Sequence, residues 1–102
     1  MNKNRVLSML GLATKAGKVA FGSETCEKAI QAKKAYLIIL ASDAAFNTQK
    51  KFRNKAAFYN LELIDELTKS EINETTGKQN KTVAIITDKN LAKKILDITL
   101  NP

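Results

Sequence analysis

The sequence predicts an α/β protein, a three-layer α/β/α sandwich with a mixed central sheet of about four strands. Predicted strands and helices alternate along the chain, and two strands, residues 35–41 and 82–87, are continuous apolar runs. Such strands are buried on both faces, so helices must cover both sides of the sheet. With 102 residues, 44% of them hydrophobic, residues 1–102 are expected to form a single domain around one core.

The first predicted helix is amphipathic, because four apolar residues recur at the spacing of one helical face: Val6, Met9, Leu10 and Ala13. Its start faintly resembles a secretory signal, but Lys15 and Lys18 interrupt the apolar stretch too early. The sequence has no run of about 18 uncharged apolar residues, so we expect no membrane span.

A short strand and a second helix follow. Residues 18–21 are extended, and Gly22 opens a helix over roughly residues 23–33. One face of this helix holds Cys26, Ala29, Ile30 and Lys33. The strand of residues 35–41 comes next and should lie at the centre of the sheet.

A third helix is predicted from Asn47 or Thr48 to Tyr59, with Asn47 as its N-cap. Its inner face would hold Phe52, Ala56 and Tyr59. Its outer face is basic and contains Lys50, Lys51, Arg53 and Lys55.

The rest of the chain contains two strands and two helices. Residues 61–64 form a short strand, and Thr68 to Glu71 has the Ser/Thr-x-x-Glu spacing of a capping box. That box starts a short helix, which Gly77 ends. After a polar connection, residues 82–87 form the second buried strand, and Asp88 caps a last helix. The inward residues of that helix are Leu91, Ile95 and Ile98.

The net charge of +7 is concentrated in the first part of the chain. Residues 1–60 contain eleven basic and three acidic side chains, a net charge of +8, whereas residues 61–102 contain six and seven, a net charge of −1. A basic surface favours a polyanion partner, because each lysine or arginine that meets a phosphate releases counterions. A merely soluble, lysine-rich surface explains the charge equally well.

Most enzyme classes are disfavoured. Cys26 is the single cysteine, which favours a reducing compartment, hence the cytoplasm, and a place in the core. Histidine, the commonest general base, is absent. Residues 11–18 resemble a nucleotide-binding P-loop only superficially, because five residues separate the glycines and Val19 replaces the Ser or Thr that holds magnesium. We expect no catalytic residue, no metal and no cofactor.

The junction at Gly22 is the most informative local feature. The first turn of a helix presents unpaired N–H groups and a positive dipole, and a glycine lets a phosphate backbone approach. Glu24 and Thr25 would lie on this turn, and Lys28 could reach the edge of a guanine. Judged on the residues alone, an ordinary strand-to-helix junction with solvent-facing polar side chains is the simpler interpretation.

Four successive blocks, residues 10–19, 22–28, 37–44 and 47–51, together resemble the YlxQ-type bacterial ribosomal-protein-like family. This family is a branch of the superfamily of the large-subunit ribosomal proteins seven-Ae and thirty-e, whose members bind kink-turn RNA. The resemblance covers nearly the whole chain. It implies a non-catalytic protein whose partners are structured RNA with a G·A-paired kink, in ribosomal RNA or a messenger leader, and the ribosome. We expect a monomer.

The resemblance also implies a site. The superfamily segment Gly-x-Asn-Glu-x-x-Lys, which contacts the tandem sheared G·A pairs, falls on residues 22–28. Gly22 and Lys28 match it, whereas Glu24 and Thr25 replace the usual Asn and Glu. The loop after the fourth helix, which packs against an extruded nucleotide, corresponds to residues 72–77. The expected RNA-binding residues are Lys18, Gly22, Ser23, Glu24, Thr25, Lys28, Lys33, Lys34, Ile72, Asn73, Glu74, Thr75, Thr76 and Gly77.

These residues have distinct expected roles. Ile72 would be the apolar contact to the extruded nucleotide, with Asn73 in place of a commoner glycine. Lys18, Lys33 and Lys34 would add phosphate contacts. The main alternative function is a protein-interaction module whose basic face serves only solubility, and an RNA-modifying enzyme has less support because no nucleophile with a base is present.

Overall fold

The computed structural model describes residues 1–101 and confirms the α/β/α sandwich. The elements in chain order are α1 (Lys3–Lys15), β1 (Val19–Phe21), α2 (Ser23–Gln31), β2 (Leu37–Leu40), α3 (Phe46–Tyr59), β3 (Leu63–Ile64), α4 (Lys69–Thr76), β4 (Val83–Ile86) and α5 (Lys89–Leu100). Helices and strands alternate, as the hydrophobic pattern predicts. Within these residues, no helix is long and apolar enough to cross a bilayer.

The sheet is mixed, with the strand order β1-β4-β2-β3. β4 runs antiparallel to both β1 and β2, and β2 runs parallel to β3. The two central strands, β2 and β4, are buried at every residue, as their apolar composition predicts. The register places Leu40 opposite Val83, so β1 and β2 end where β4 begins. We call this the upper end of the sheet and the opposite one the lower end.

Helices cover both faces. α2 packs on β1 and β4 and contacts α3, which packs on β2, whereas α1 packs against α4 and α5 on the other face. The fully buried side chains form one core that includes Leu10 of α1, Ile30 of α2, Phe52 of α3, Ile72 of α4 and Ile95 of α5. Each helix therefore contributes an apolar stripe to the same interior.

Helix α2 ends two residues before its predicted boundary. Its C-cap is Ala32, and Lys33 adopts a left-handed conformation with φ of 58°. The N–H of Lys34 donates to the carbonyl of Ala29 at 2.9 Å, and that of Lys33 donates to Ile30 at 3.0 Å, the two bonds of a Schellman motif. Lys33 is exposed, so the expectation that it shares the inner face with Cys26 is wrong.

Helix α3 begins one residue before the predicted start, and Asn47 is not its N-cap. A turn closed by the N–H of Ala44 on the carbonyl of Ala41 at 3.1 Å brings Ala45 to the N-cap position. Ala45 has no side-chain oxygen, and Gln49 Nε2 instead binds the carbonyl of Ala44 at 2.9 Å. Strand β3 is also shorter than predicted, with two residues instead of four.

The ends of α4 agree with the sequence. Thr68 Oγ1 accepts from the N–H of Glu71 at 3.1 Å, and Glu71 Oε1 accepts from the N–H of Thr68 at 2.9 Å, a complete capping box. Gly77 ends the helix with φ of 73°. Asp88 caps α5 by accepting from the N–H of Leu91 at 2.9 Å.

Candidate nucleic-acid interface

Gly22 joins β1 to α2 at the upper end of the sheet. Its φ of 88° and ψ of 150° are a conformation that glycine adopts readily and other residues do not. Its N–H donates to the carbonyl of Val83 at 3.2 Å, and its carbonyl accepts from the N–H of Cys26 at 2.9 Å. The residue therefore connects the sheet to the helix while leaving space above the backbone.

The first turn of α2 offers free donors. Among the described residues, no side chain caps this turn, so the N–H groups of Ser23, Glu24 and Thr25 point out of the helix without a capping acceptor. An anion placed there would meet these groups and the positive end of the helix dipole. The unpaired N–H groups that the sequence predicts after Gly22 are therefore present in the structure.

The polar side chains of the turn are accessible. Glu24, Thr25 and Lys28 are all exposed, and Lys28 Nζ lies 3.4 Å from Glu24 Oε1 in an ion pair. An ion pair between groups this exposed contributes little to stability, so both side chains can leave the pair for another partner.

The predicted second contact region lies mostly inside a helix. Because α4 extends to Thr76, residues 72–76 are helical, and the loop after α4 begins only at Gly77. Ile72 has 0% exposed surface and packs in the core. The expectation that its side chain contacts a nucleotide is therefore wrong: in the amphipathic helix α4, this position faces the interior.

The neighbouring polar side chains hold the structure together. Thr75 Oγ1 donates to the carbonyl of Leu7 at 2.9 Å, which joins α4 to α1, and Thr76 Oγ1 donates to Ile72 at 2.7 Å within the helix. Glu74 is exposed and Gly77 is at the left-handed turn. Of residues 72–77, only Glu74 and Gly77 are exposed to solvent.

Asn73 ties the following loop to α4. Its Nδ2 donates to the carbonyls of Lys69 at 2.6 Å and Lys81 at 3.0 Å, and its Oδ1 accepts from the N–H of Lys81 at 3.0 Å. A side-chain amide has both a donor and an acceptor, so it can satisfy both backbone groups of one residue. A glycine at this position could not form these bonds.

The loop after α4 lies beside the start of α2. Lys78 Nζ is 5.3 Å from the centroid of the Phe21 ring, a cation–π distance. A β-carbon placed on Gly22 would lie 3.7 Å from Lys81 Nζ. The loop after α4 therefore meets the start of α2 at the upper end through Lys78 and Lys81, which lie outside the predicted segment of residues 72–77.

A groove of about 460 Å³ opens next to this junction. Its walls are the start of α4 with Lys69 and Asn73, the loop residues Lys78 and Gln79, and Asp43. Asp43 Oδ1 accepts from the N–H of Lys69 at 2.8 Å and so holds the loop after β2 against α4. Sequence reasoning missed Lys69, Lys78 and Lys81, although placing the loop after Gly77, the predicted helix end, would have found the last two.

Three predicted residues lie elsewhere. The carbonyl of Lys18 accepts from the N–H of Thr87 at 2.9 Å, at the lower end of the sheet. Lys33 and Lys34 follow the end of α2, whose nine residues span about 13 Å from its start. The structure therefore separates these lysines from Gly22, and their predicted phosphate contacts stay a prediction.

Cys26 is a core residue, as predicted. Its side chain is fully buried, and burial is the main cause that raises the pKa of its thiol to about 12, with the nearby carboxylate of Glu27 adding to the shift. The Sγ donates to the carbonyl of Ala20 at 3.4 Å. A thiol with this pKa is protonated at neutral pH and is not a nucleophile.

Comparison with known protein families gives a match over most of the chain. Residues 4–97 match the sequence profile described as the Ribosomal protein L7Ae/L30e/S12e/Gadd45 family. The RNA-binding protein YlxQ of Enterococcus faecium is 32% identical over 97 residues, which are 95% of this chain and 93% of that protein. The RNA-binding protein YlxQ of Bacillus subtilis is 31% identical over 90 residues, 88% of this chain and 90% of that protein.

Solved structures have the same architecture. A Bacillus halodurans protein of unknown function superposes with a TM-score of 0.87 at 30% identity, over 91% of this chain and 94% of that one. The 15.5kD RNA binding protein of Giardia lamblia superposes with a TM-score of 0.82 at 16% identity, over 94% of this chain and 85% of that one. At that identity, the second match bears on the fold alone.

Proposed function

Because this chain belongs to the Ribosomal protein L7Ae/L30e/S12e/Gadd45 family, we propose that it is a non-catalytic RNA-binding protein that recognises kink-turn-like structured RNA. The curated relatives that match nearly its whole length are named as RNA-binding proteins. The observation that supports the proposal most is the meeting of the uncapped start of α2 with the lysine-containing loop after α4 at the upper end of the sheet.

The start of α2 engages the G·A-paired stem of the RNA. Its free N–H groups receive a phosphate, and the missing side chain at Gly22 lets the sugar-phosphate backbone approach. Lys28 donates to guanine O6 and N7 in a groove that the kink has opened. Glu24 replaces the Asn of the superfamily segment, and its carboxylate accepts hydrogen bonds from base amino groups.

The groove beside α4 receives the nucleotide that the kink extrudes. Lys69 and Lys78 line that groove, so a phosphate there meets two cations, and Gln79 provides both a donor and an acceptor. The protein binds the stem and the loop of a bent RNA at the same time. It therefore recognises the shape of the RNA, as proteins commonly do with irregular RNA.

We place the protein in the cytoplasm as a monomer with one domain, bound to ribosomal RNA or to a structured messenger leader. The net charge of +7 supports association with such polyanions.

A gel-shift titration tests this function directly. We expect the protein to bind a kink-turn duplex more tightly than a duplex in which Watson–Crick pairs replace the G·A pairs. Equal affinity for both would reduce the interaction to charge attraction and contradict the proposal.

Lys28→Ala should weaken kink-turn binding by about 1–3 kcal/mol, because it removes the donor to guanine. Lys94→Ala is the matched control, since Lys94 is an exposed lysine on α5, across the sheet from α2. A dissociation constant that is the same for wild type and Lys28→Ala would remove Lys28 from the site.

A further inference from the structure

A second basic surface lies at the lower end of the sheet. It consists of Lys18, Lys33, Tyr36, Lys89 and Lys93, which we call the lower surface. Lys18 and Tyr36 immediately precede β1 and β2, the two strands that flank β4: the carbonyl of Lys18 accepts from the N–H of Thr87, and the N–H of Tyr36 donates to the carbonyl of Ile86 at 2.9 Å. Lys89 starts α5 immediately beyond this point.

Tyr36 is the centre of the lower surface. It is 42% exposed, although its neighbours in the chain, Ala35 and Leu37, are buried. It forms a wall of two grooves: one of about 410 Å³, shared with Lys33 and Tyr59, and one of about 420 Å³, shared with Lys89 and Lys93. Proteins that bind single-stranded nucleic acid combine an exposed aromatic ring, on which a base stacks, with basic side chains that contact the backbone.

The lysines of the lower surface have no carboxylate partners among the described residues. Ion pairs within 4 Å involve Lys3, Lys28, Lys51 and Arg53, all outside this surface. Asp88 caps α5, Glu62 precedes the outer strand β3, and Asp97, one turn after Lys93 on α5, forms no ion pair with it. No carboxylate within ion-pair distance therefore competes with a phosphate for these ammonium groups.

We propose that the lower surface binds a single-stranded stretch of RNA, with one base stacked on Tyr36 and the flanking phosphates on Lys33, Lys89 and Lys93. The proposal rests on the proposed function only in taking RNA as the partner. The molecule measures 27 × 26 × 25 Å, so the two ends of the sheet can hold different segments of one RNA. The protein would bind the kink at the upper end of the sheet and an unpaired flanking segment at the lower end.

Fluorescence anisotropy with a labelled oligouridine of about ten nucleotides tests the lower surface, because it contains no kink. Tyr36→Ala should weaken its binding at least about fivefold by removing the stacking platform. Lys89→Glu and Lys93→Glu should each weaken it and lower the slope of log affinity against log salt by about one. Glutamate is well tolerated in the first turn of a helix, so Lys89→Glu is expected to fold even if another variant does not.

Lys94→Glu is the matched control, because it makes the same charge change on the same helix but does not line either groove. Equal losses for Lys93→Glu and Lys94→Glu would overturn the inference, as would an unchanged affinity in Tyr36→Ala. Preferential, Tyr36-dependent capture of polyglutamate in place of the oligonucleotide would overturn it in favour of an acidic protein partner.

A blunt-ended kink-turn duplex separates this inference from the proposed function. Tyr36→Ala should leave duplex binding unchanged, and Lys28→Ala should leave oligouridine binding unchanged. Loss of G·A discrimination with intact, Tyr36-dependent oligouridine binding would contradict the proposed function alone. Normal duplex binding without any oligouridine binding would contradict the lower surface alone.

Discussion

Gly22 and Ile72 illustrate how the surroundings of a single residue decide its role. Gly22 is at a strand-to-helix junction where φ of 88° excludes most side chains, and the absence of a side chain leaves the helix start open. Ile72 comes from a segment that the family resemblance assigns to RNA, yet it has no exposed surface. Gly22 thus makes the backbone accessible, whereas Ile72 packs in the core.

Ile72→Ala should lower the free energy of unfolding by about 2–5 kcal/mol, because it removes buried methyl groups and leaves a cavity. Urea denaturation measures this loss. The RNA affinity of the folded protein should be unchanged in a gel shift under native conditions. Glu74→Ala, an exposed change in the same helix, serves as the control and should alter stability by about 0.5 kcal/mol or less. If Ile72→Ala bound RNA more weakly but unfolded with the same free energy as wild type, Ile72 would be an RNA contact after all.

At the scale of elements, α4 links the core to the candidate site. Its start is held by the capping box and by an ion pair between Lys3 Nζ and Glu71 Oε1 at 3.3 Å. Its side chain Asn73 binds both backbone groups of Lys81 and so sets where the loop ends. The position of the basic loop therefore depends on a helix whose inner face is core.

Asn73→Ala should cost about 1–3 kcal/mol of stability, because the N–H and carbonyl of Lys81 lose their partner. The loop would also become less ordered, so kink-turn affinity should fall while oligouridine binding stays the same. Hydrogen exchange at the amide of Lys81 reports the loosening. If that amide exchanged as slowly in Asn73→Ala as in wild type, the role of Asn73 in holding the loop would be refuted.

The pKa of the Glu71 carboxyl is lowered from 4.5, chiefly by the hydrogen bond from the N–H of Thr68 and further by Lys3, against partial desolvation. A depressed pKa means that the ionised capping box stabilises the fold above the pKa of the unfolded chain and loses this contribution as pH falls through the folded value. Between about pH 7 and about pH 3, wild type should therefore lose more stability than Glu71→Ala. Parallel pH profiles from chemical denaturation would contradict this.

At the scale of the whole molecule, charge is divided between two ends of one sheet. The upper end has Lys28, Lys69, Lys78 and Lys81 near the start of α2, and the lower end has the lysines around Tyr36. The sheet is only four residues long at its centre, so both surfaces belong to one rigid core. Binding at each end should therefore be independent to a first approximation.

Salt dependence should reflect this division. If Lys69, Lys78 and Lys81 at the upper end each contact a phosphate while Lys28 binds guanine, log affinity for a blunt kink-turn duplex should fall against log salt with a slope of about −3. An RNA with an added single-stranded flank should give a steeper slope, because the lower surface adds contacts. A slope near zero for the duplex would show that phosphates contribute little to binding.

Much of the fold follows from short-range pattern. The buried strands β2 and β4, the capping box at Thr68, the end of α4 at Gly77 and the cap at Asp88 are all predicted from neighbouring residues, and the structure confirms them. The end of α2 and the cap of α3 are predicted wrongly, because a Schellman turn and a tight turn at Ala44 override the local preference.

The amino-acid pattern alone determined the α/β/α layering and the open helix start at Gly22, because hydrophobic periodicity and turn chemistry act between residues close in the chain. Only the tertiary structure decided which lysines meet there. Lys78 reaches Phe21 and Lys81 reaches Gly22 because β4 pairs beside β1, and the same pairing leaves Lys18 and Lys33 at the far end. Strand order is set by packing of the whole core, which no local segment encodes.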